Sequence, residues 1–233
     1  MRYFMGIDVG TNETKAVLID EKCEIVAFAS CGHDLLNPQP GFFEHDAEKT
    51  WWGDFCHLSR QLLAESGVDA KDVGCVGLSA LGCDCVPVDA EGTALCNAIL
   101  YGVDSRSHKE IEWLYAYYGK EEAERLYGHE LCSSDIAPKI LWVKNNLPDV
   151  YAKTAKFLTG SSYLCAKLPG KFTIDRYLAE DFAPLYNLTN DTVDEEHCGL
   201  YCRPDQLAQV CNATDIAGTV TAKAAAQTGL AEG

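Results

Sequence analysis

The chain has 233 residues, 47% of them apolar, enough to build the core of one large domain or two small ones. Its 35 acidic residues against 19 basic give a formal charge of −16, which argues against nucleic acid or a membrane surface as partner while leaving room for a local phosphate site. No basic n-region with an apolar core opens the sequence and no apolar run reaches membrane-spanning length, so a cytoplasmic location is expected. The 12 cysteines then read as reduced thiols serving as small core residues, Cys75 and Cys165 among them. Neither Cys83-Asp84-Cys85 nor His197-Cys198 with Cys202 and Cys211 has the paired spacing of a four-ligand metal site.

Tyr3–Ile7 and Ala16–Asp20 are apolar runs flanking Gly10-Thr11-Asn12, which predicts a β-hairpin. Asp8 ends the first strand, where a buried carboxylate is costly unless it is paired or faces a cation. Gly10 lets the backbone approach a ligand, and the N–H groups of the turn, with Thr11, Asn12 and Lys15, suit phosphate oxygens. Asp8 beside them suits a hydrated Mg²⁺, which favours one or two carboxylates plus substrate phosphates. An ordinary hairpin with a polar turn explains the same residues when they are taken alone. No P-loop and no glycine-rich dinucleotide fingerprint is present.

Glu24–Ser30 predicts a third antiparallel strand. After the turn formers Asn37–Gly41, Asp46 is placed to cap an amphipathic helix over Ala47–Ser66, with Trp51, Trp52, Phe55, Leu58, Leu62 and Leu63 on its core face. Val73–Ser79 is expected as a central strand of the same sheet, followed by short strands at Cys85–Asp89 and Ala98–Tyr101. Asp104 and Arg106 precede a helix over Ser107–Tyr118, either as its ion-paired start or as the floor of a cleft. Further helices are expected at Glu121–Leu126, Ala137–Asn146 with Pro138 in its first turn, Tyr163–Lys167, a short stretch near Asp205–Gln209, and Thr221–Thr228 closed by Gly229. Strands are expected at Lys156–Leu158 and Phe172–Asp175, and a strand or extended turn at Ile216–Val220.

In this order, these blocks resemble the N-terminal half of the FGGY carbohydrate kinases, nearest to xylulokinase-like members. Residues 6–15 are similar to the family's D-x-G-T-x-x-x-[RK] hairpin, and Gly41, Glu44, Asp46 and Trp51 match its P-G-x-x-E-x-D-x-x-x-x-W segment. Asp104 and Arg106 match W-x-D-x-R, with Tyr101 and one extra residue before them. Ala137–Val143 is almost letter for letter A-P-K-L-L-W-V, Phe172–Asp175 with Ala179 looks like F-x-T-D-x-x-x-A, and Ile216–Gly233 resembles the end of the half.

The resemblance implies an α/β fold: an RNase H-like domain of the actin-like ATPase superfamily, with a mixed central sheet flanked by helices. Residues 1–233 would be the sugar-binding N-terminal domain, with a linker from about residue 216 and the ATP-binding domain outside the chain. It implies transfer of the γ-phosphoryl of ATP to a hydroxyl of a sugar or polyol, with Mg²⁺ and ATP as the small-molecule requirements. A pentulose such as xylulose or ribulose is the favoured acceptor, and a homodimer of the full-length form is left open. Cys83, Asp84, Asp104, Arg106, Ser134, Asp135 and Asp175 are the expected substrate-binding positions. The family's general-base aspartate is expected just beyond Gly233, so the fragment alone is expected to be inactive.

One departure bears on the sugar: where xylulokinases carry Gln-Met-His, this chain has Leu81-Gly82-Cys83-Asp84. An alternative class shares the G-I-D-x-G opening, an actin-like ATPase that activates a dehydratase through an iron–sulfur cluster; a further reading, beside the first alternative, is a structural or sensory actin-like domain without catalysis. The scattered cysteines and the Ala137–Val143 block weigh against the first.

Overall fold

The computed structural model describes residues Met1–Gly233. Strands β1 (Tyr3–Val9), β2 (Glu13–Asp20) and β3 (Ile25–Gly32) form an antiparallel meander. Its first turn is tighter than the sequence suggests, because both strands run on to residues 9 and 13. A two-residue β4 (Glu44–His45) leads into a π-turn over Ala47–Trp52, which Asp46 caps by accepting from the Lys49 N–H. The predicted helix therefore divides, and its regular part is α1 (Gly53–Ser66).

The strand β5 (Val73–Ala80) returns beside β1 and runs parallel to it, giving the order β3-β2-β1-β5. It is thus an edge strand and not a central one, which corrects the sequence reading. Alternation decides the two faces. Met5, Ile7 and Val9 of β1, Ala16 and Leu18 of β2 and Ala29 of β3 point to one side, where they meet the buried Phe55, Leu58 and Leu62 of α1. Phe4, Asp8, Lys15, Phe28 and Cys75 are exposed on the other side, so Cys75 is no core thiol.

Beyond the sheet come β6 (Val86–Val88), β7 (Ala98–Ile99), α2 (His108–Tyr118), α3 (Lys120–Tyr127) and α4 (Ile136–Asn146). Pro148 opens α5 (Pro148–Lys153), a helix absent from the sequence reading, since proline both ends one helix and starts the next. Next are β8 (Lys156–Leu158), α6 (Gly160–Lys167), β9 (Thr173–Asp175), α7 (Arg176–Glu180), β10 (Tyr186–Asn187) and β11 (Thr192–Val193). The helix expected near Asp205–Gln209 is only a 3₁₀ turn at Pro204–Gln206, while α8 (Glu195–Tyr201) forms earlier, capped by Asp194. The sequence reading misses α8 because the polarity of Asn190–Gln209 hides Cys198 and Tyr201, which are fully buried.

The chain closes with β12 (Gln209–Cys211), parallel to β9, and α9 (Ala222–Thr228). Ile216–Val220 forms no regular strand. α9 is tied to the π-turn and α1 by Trp52 Nε1 donating to Gln227 Oε1 and Arg60 donating to the Ala226 carbonyl, 3.0 Å each. No helix is long and apolar enough to cross a membrane.

The end of β5 and the start of α6 meet closely at Gly160, where a Cβ would lie 2.8 Å from the Ala80 Cβ and 3.3 Å from the Leu81 carbonyl oxygen. Gly160→Ala should therefore lower stability by about 1–3 kcal/mol through overpacking. Urea denaturation reads this, and an unchanged midpoint would mean that the two elements separate at no cost.

Candidate functional site

The turn after β1 points its carbonyls inward. His33 Nε2 lies 3.0 Å from the Gly10 carbonyl oxygen, His45 Nε2 lies 3.1 Å from that of Thr11, and the His33 N–H donates to that of Asn12 at 2.9 Å. The Gly10 N–H closes the turn on the Glu13 carbonyl. The N–H groups of Thr11 and Asn12 donate to nothing in the chain. Asp8 sits one residue before this turn element, on the open sheet face, exposed and without hydrogen bond or ion pair. The cost of burying a carboxylate, the reason for singling it out in the sequence, does not apply. What marks Asp8 is an unshared charge beside unshared N–H donors. Lys15, its cross-strand neighbour, is ion-paired with Glu13 at 2.8 Å and exposed. That pairing holds its ammonium above the ordinary lysine range.

Thr11 reaches toward the rest of the site, its Oγ1 3.5 Å from the Tyr101 hydroxyl. Tyr101 lines a groove of about 1240 Å³ that runs along β5 and is also walled by Ser79, Cys83, Asp175, Asp181 and the segment Cys211–Val220. The turn lies at the carboxyl end of β1, and the groove runs the whole length of the parallel neighbour β5, from Val73 to Ala80.

The expected substrate-binding residues divide sharply. Cys83 and Asp175 line the groove. Cys83 adopts φ 57° and donates to Asp181 Oδ2 at 3.0 Å, and burial pushes its thiol up to about 12. Asp175 caps α7, accepting from the Tyr177 and Leu178 N–H groups. Ser134 is half-buried, and its carbonyl lies 3.4 Å from Lys139 Nζ.

Asp84, Asp104, Arg106 and Asp135 are buried, and none of them lines this groove. Asp104 and Arg106 form the ion-paired helix start: Arg106 donates to Asp104 at 2.8–3.0 Å and to Glu44 at 2.9 Å, and its guanidinium lies over the rings of both Phe42 and Trp142. Asp135 accepts from the Cys132 N–H at 2.7 Å and from His129 at 3.1 Å.

Asp84 holds the Tyr101 N–H at 3.0 Å with one oxygen, while the other has no partner in the chain. The fully buried Lys139 shares its surroundings and donates to the Cys83 carbonyl at 2.6 Å. Burial pushes Asp84 from 3.8 up to about 7, against the pull of the Lys139 charge, and pushes Lys139 below the ordinary lysine range. This pair sets the Cys83 and Tyr101 backbones, so it shapes the groove wall from behind.

Sequence reasoning missed His33, Asp54, His45, Asp181 and the role of Tyr101. His45 lies inside the Gly41–Trp52 block, but nothing local distinguishes it from a surface histidine. His33, Asp54 and Asp181 meet their partners only through the fold.

The groups that fit Mg²⁺ and phosphate are Asp8 and the turn, since Mg²⁺ needs few protein ligands when phosphates supply the rest. No cluster of three or more histidine, cysteine or carboxylate side chains stands ready to hold a metal by itself.

Comparison with known proteins gives a single family. The model for the FGGY family of carbohydrate kinases, N-terminal domain, matches residues 3–233. Xylulose kinase of Bacillus subtilis (strain 168) is 26% identical over 233 residues, covering 100% of this chain and 46% of that protein. Autoinducer-2 kinase of Enterobacter sp. (strain 638) is 29% identical over 240 residues, covering 100% of this chain and 44% of that protein. Among solved structures, xylulose kinase from Rhodospirillum rubrum superposes with a TM-score of 0.90 at 27% identity over 100% of this chain and 47% of that one. The chain thus spans about half the length of the relatives it matches.

The Asp84 carboxyl holds its proton more tightly in the folded chain than in the unfolded one. Its contribution to stability is therefore present below pH about 4 and is lost as pH rises through about 7, on the order of a few kcal/mol. Asp84→Asn should flatten that part of the profile. Denaturation midpoints at pH 5 and pH 8 test it, and parallel profiles for the two proteins would show that Asp84 does not titrate there.

Proposed function

The chain belongs to the FGGY family of carbohydrate kinases, and from that premise we propose that it forms the acceptor-side, phosphate-positioning half of an ATP-dependent kinase. The reaction is transfer of the γ-phosphoryl of ATP to a hydroxyl of a sugar or polyol. The fold is the RNase H-like, actin-like α/β domain of that family. The observation that carries the proposal is the combination at the end of β1: an exposed, unshared Asp8 next to two N–H groups, Thr11 and Asn12, that donate to nothing in the chain.

Phosphoryl transfer is mostly positioning and electrostatic stabilisation of charge on the transferred group. The two N–H groups bind phosphate oxygens and fix their direction. Thr11 adds a hydroxyl at the same edge, and Asp8 holds a hydrated Mg²⁺, whose charge, when bound, offsets that of the phosphates. Lys15, tied to Glu13, contributes field and not a contact. The acceptor occupies the neighbouring groove, where Cys83, Asp175 and Asp181 present the polar groups.

A pentulose such as xylulose or ribulose is the proposed acceptor, and the xylulose kinases among the relatives support it. The autoinducer-2 kinase relative and the Leu81–Asp84 segment set the alternatives to be screened. The family match lends no support to a dehydratase activator.

In the intact protein, Asp8→Asn should lower kcat by about 10²-fold or more. Because Asp8 is exposed and unpaired, stability should move by no more than about 0.5 kcal/mol. Sugar-dependent ADP release over a panel of pentuloses, hexuloses and polyols measures the first effect, and thermal unfolding the second. Full turnover of the variant at saturating Mg·ATP would reject the assignment.

A further inference from the structure

Beneath the turn lies a buried polar network that the proposed reaction does not itself use. His33, with its side chain only 6% exposed, sits between the Gly10 carbonyl on Nε2 and Asp54 Oδ2 on Nδ1, at 3.0 and 2.8 Å. Both partners are acceptors, so each ring nitrogen bonds its partner only when it carries a proton. The same Asp54 oxygen accepts from the buried Thr14 hydroxyl at 2.8 Å. The fully buried His45 accepts from Trp51 Nε1 on Nδ1 at 3.0 Å, which fixes its proton on Nε2, facing the Thr11 carbonyl. Burial and the neighbouring His33 hold His45 down to about 4, so it is neutral near pH 7 and keeps this tautomer. The two rings meet edge to face with centroids 4.9 Å apart.

In a trans peptide the carbonyl and the following N–H point in opposite directions. Drawing the Gly10 carbonyl inward turns the Thr11 N–H outward, and drawing the Thr11 carbonyl inward does the same for the Asn12 N–H. We propose that His33 and His45 are positioning residues, a two-histidine clamp anchored on Asp54 and Trp51 that holds the Thr11 and Asn12 N–H groups in the outward orientation that binds phosphate. The inference rests on the reading of this turn as the phosphate site. It assigns to two histidines, neither of which touches substrate, control over the geometry of the donors that do.

The test is amide NMR of the chain titrated with Mg²⁺ and inorganic tripolyphosphate. In the wild type, the Thr11 and Asn12 resonances should shift on titration. Without ligand their N–H groups should exchange fast, while the Gly10 N–H, bonded to the Glu13 carbonyl, should be protected. His33→Leu should weaken tripolyphosphate binding by about tenfold, the equivalent of one lost hydrogen bond. His33→Gln, which keeps a donor of similar reach, should recover most of that loss. A purely structural histidine would change the unfolding temperature without this selective rescue at the two turn amides.

If the wild-type turn amides shift but His33→Leu binds tripolyphosphate as tightly as the wild type, or His33→Gln binds it no better than His33→Leu, the clamp is wrong and the phosphate reading stands. If the wild-type turn amides do not respond to tripolyphosphate, the phosphate reading falls and the clamp falls with it. Should His33→Leu fail to fold, the exchange measurement still decides: protected Thr11 and Asn12 N–H groups in the wild type would place those donors inward and overturn the clamp.

Discussion

A peptide unit cannot aim its carbonyl and its N–H at the same partner, and the turn after β1 is built on that constraint. The carbonyls of Gly10, Thr11 and Asn12 are all satisfied from inside, by His33 Nε2, His45 Nε2 and the His33 N–H. The N–H groups of Thr11 and Asn12 are left without a partner in the chain, three and four residues after an exposed aspartate. An unpaired N–H in a dry interior costs about 1–3 kcal/mol. At a solvent-facing turn that cost is small, and the donors stay available to an anion. The inner side carries the stability: Thr14, His33 and Asp54 join β2, β3 and α1 in one polar knot under a sheet whose other residues on that face are apolar.

A second buried device supports the groove wall from behind. Lys139 on α4 holds the Cys83 carbonyl, and Asp84 holds the Tyr101 N–H, so two buried side chains set two segments of the wall. Removal of either one leaves a backbone group of the wall without its buried partner. The Leu81–Asp84 departure from the xylulokinase pattern therefore has two parts. Cys83 faces the groove, where it can affect the acceptor directly. Asp84 acts only through the backbone it holds.

Much of this was legible in the sequence because it is written in local periodicity and caps. The meander, the Asp46 and Gly229 caps, α4 with its proline, and the Lys156–Leu158 strand follow from turn chemistry and alternation. So does the turn after β1, although the reason for noticing Asp8 was burial and its actual state is exposure. What stayed hidden depends on the topology. Asp84, Asp104, Arg106 and Asp135 are named as site residues through the family resemblance, and the fold buries each of them with a partner that the sequence does not reveal for Asp84 and Asp135. The reverse holds for α8, whose polar composition conceals two buried residues. The histidines beneath the turn carry no local signal, since His33 and Asp54 are brought together only when β3 packs on α1.

The central claim is that the outward N–H groups of Thr11 and Asn12, together with Asp8, face the phosphoryl group being transferred. A crystal structure of the intact protein with Mg²⁺ and a non-hydrolysable ATP analogue tests it most directly. The account predicts terminal phosphate oxygens about 3 Å from both amide nitrogens, with a Mg²⁺-bound water on the Asp8 carboxylate. A nucleotide bound elsewhere, leaving these two N–H groups facing solvent and Asp8 unengaged, would contradict it.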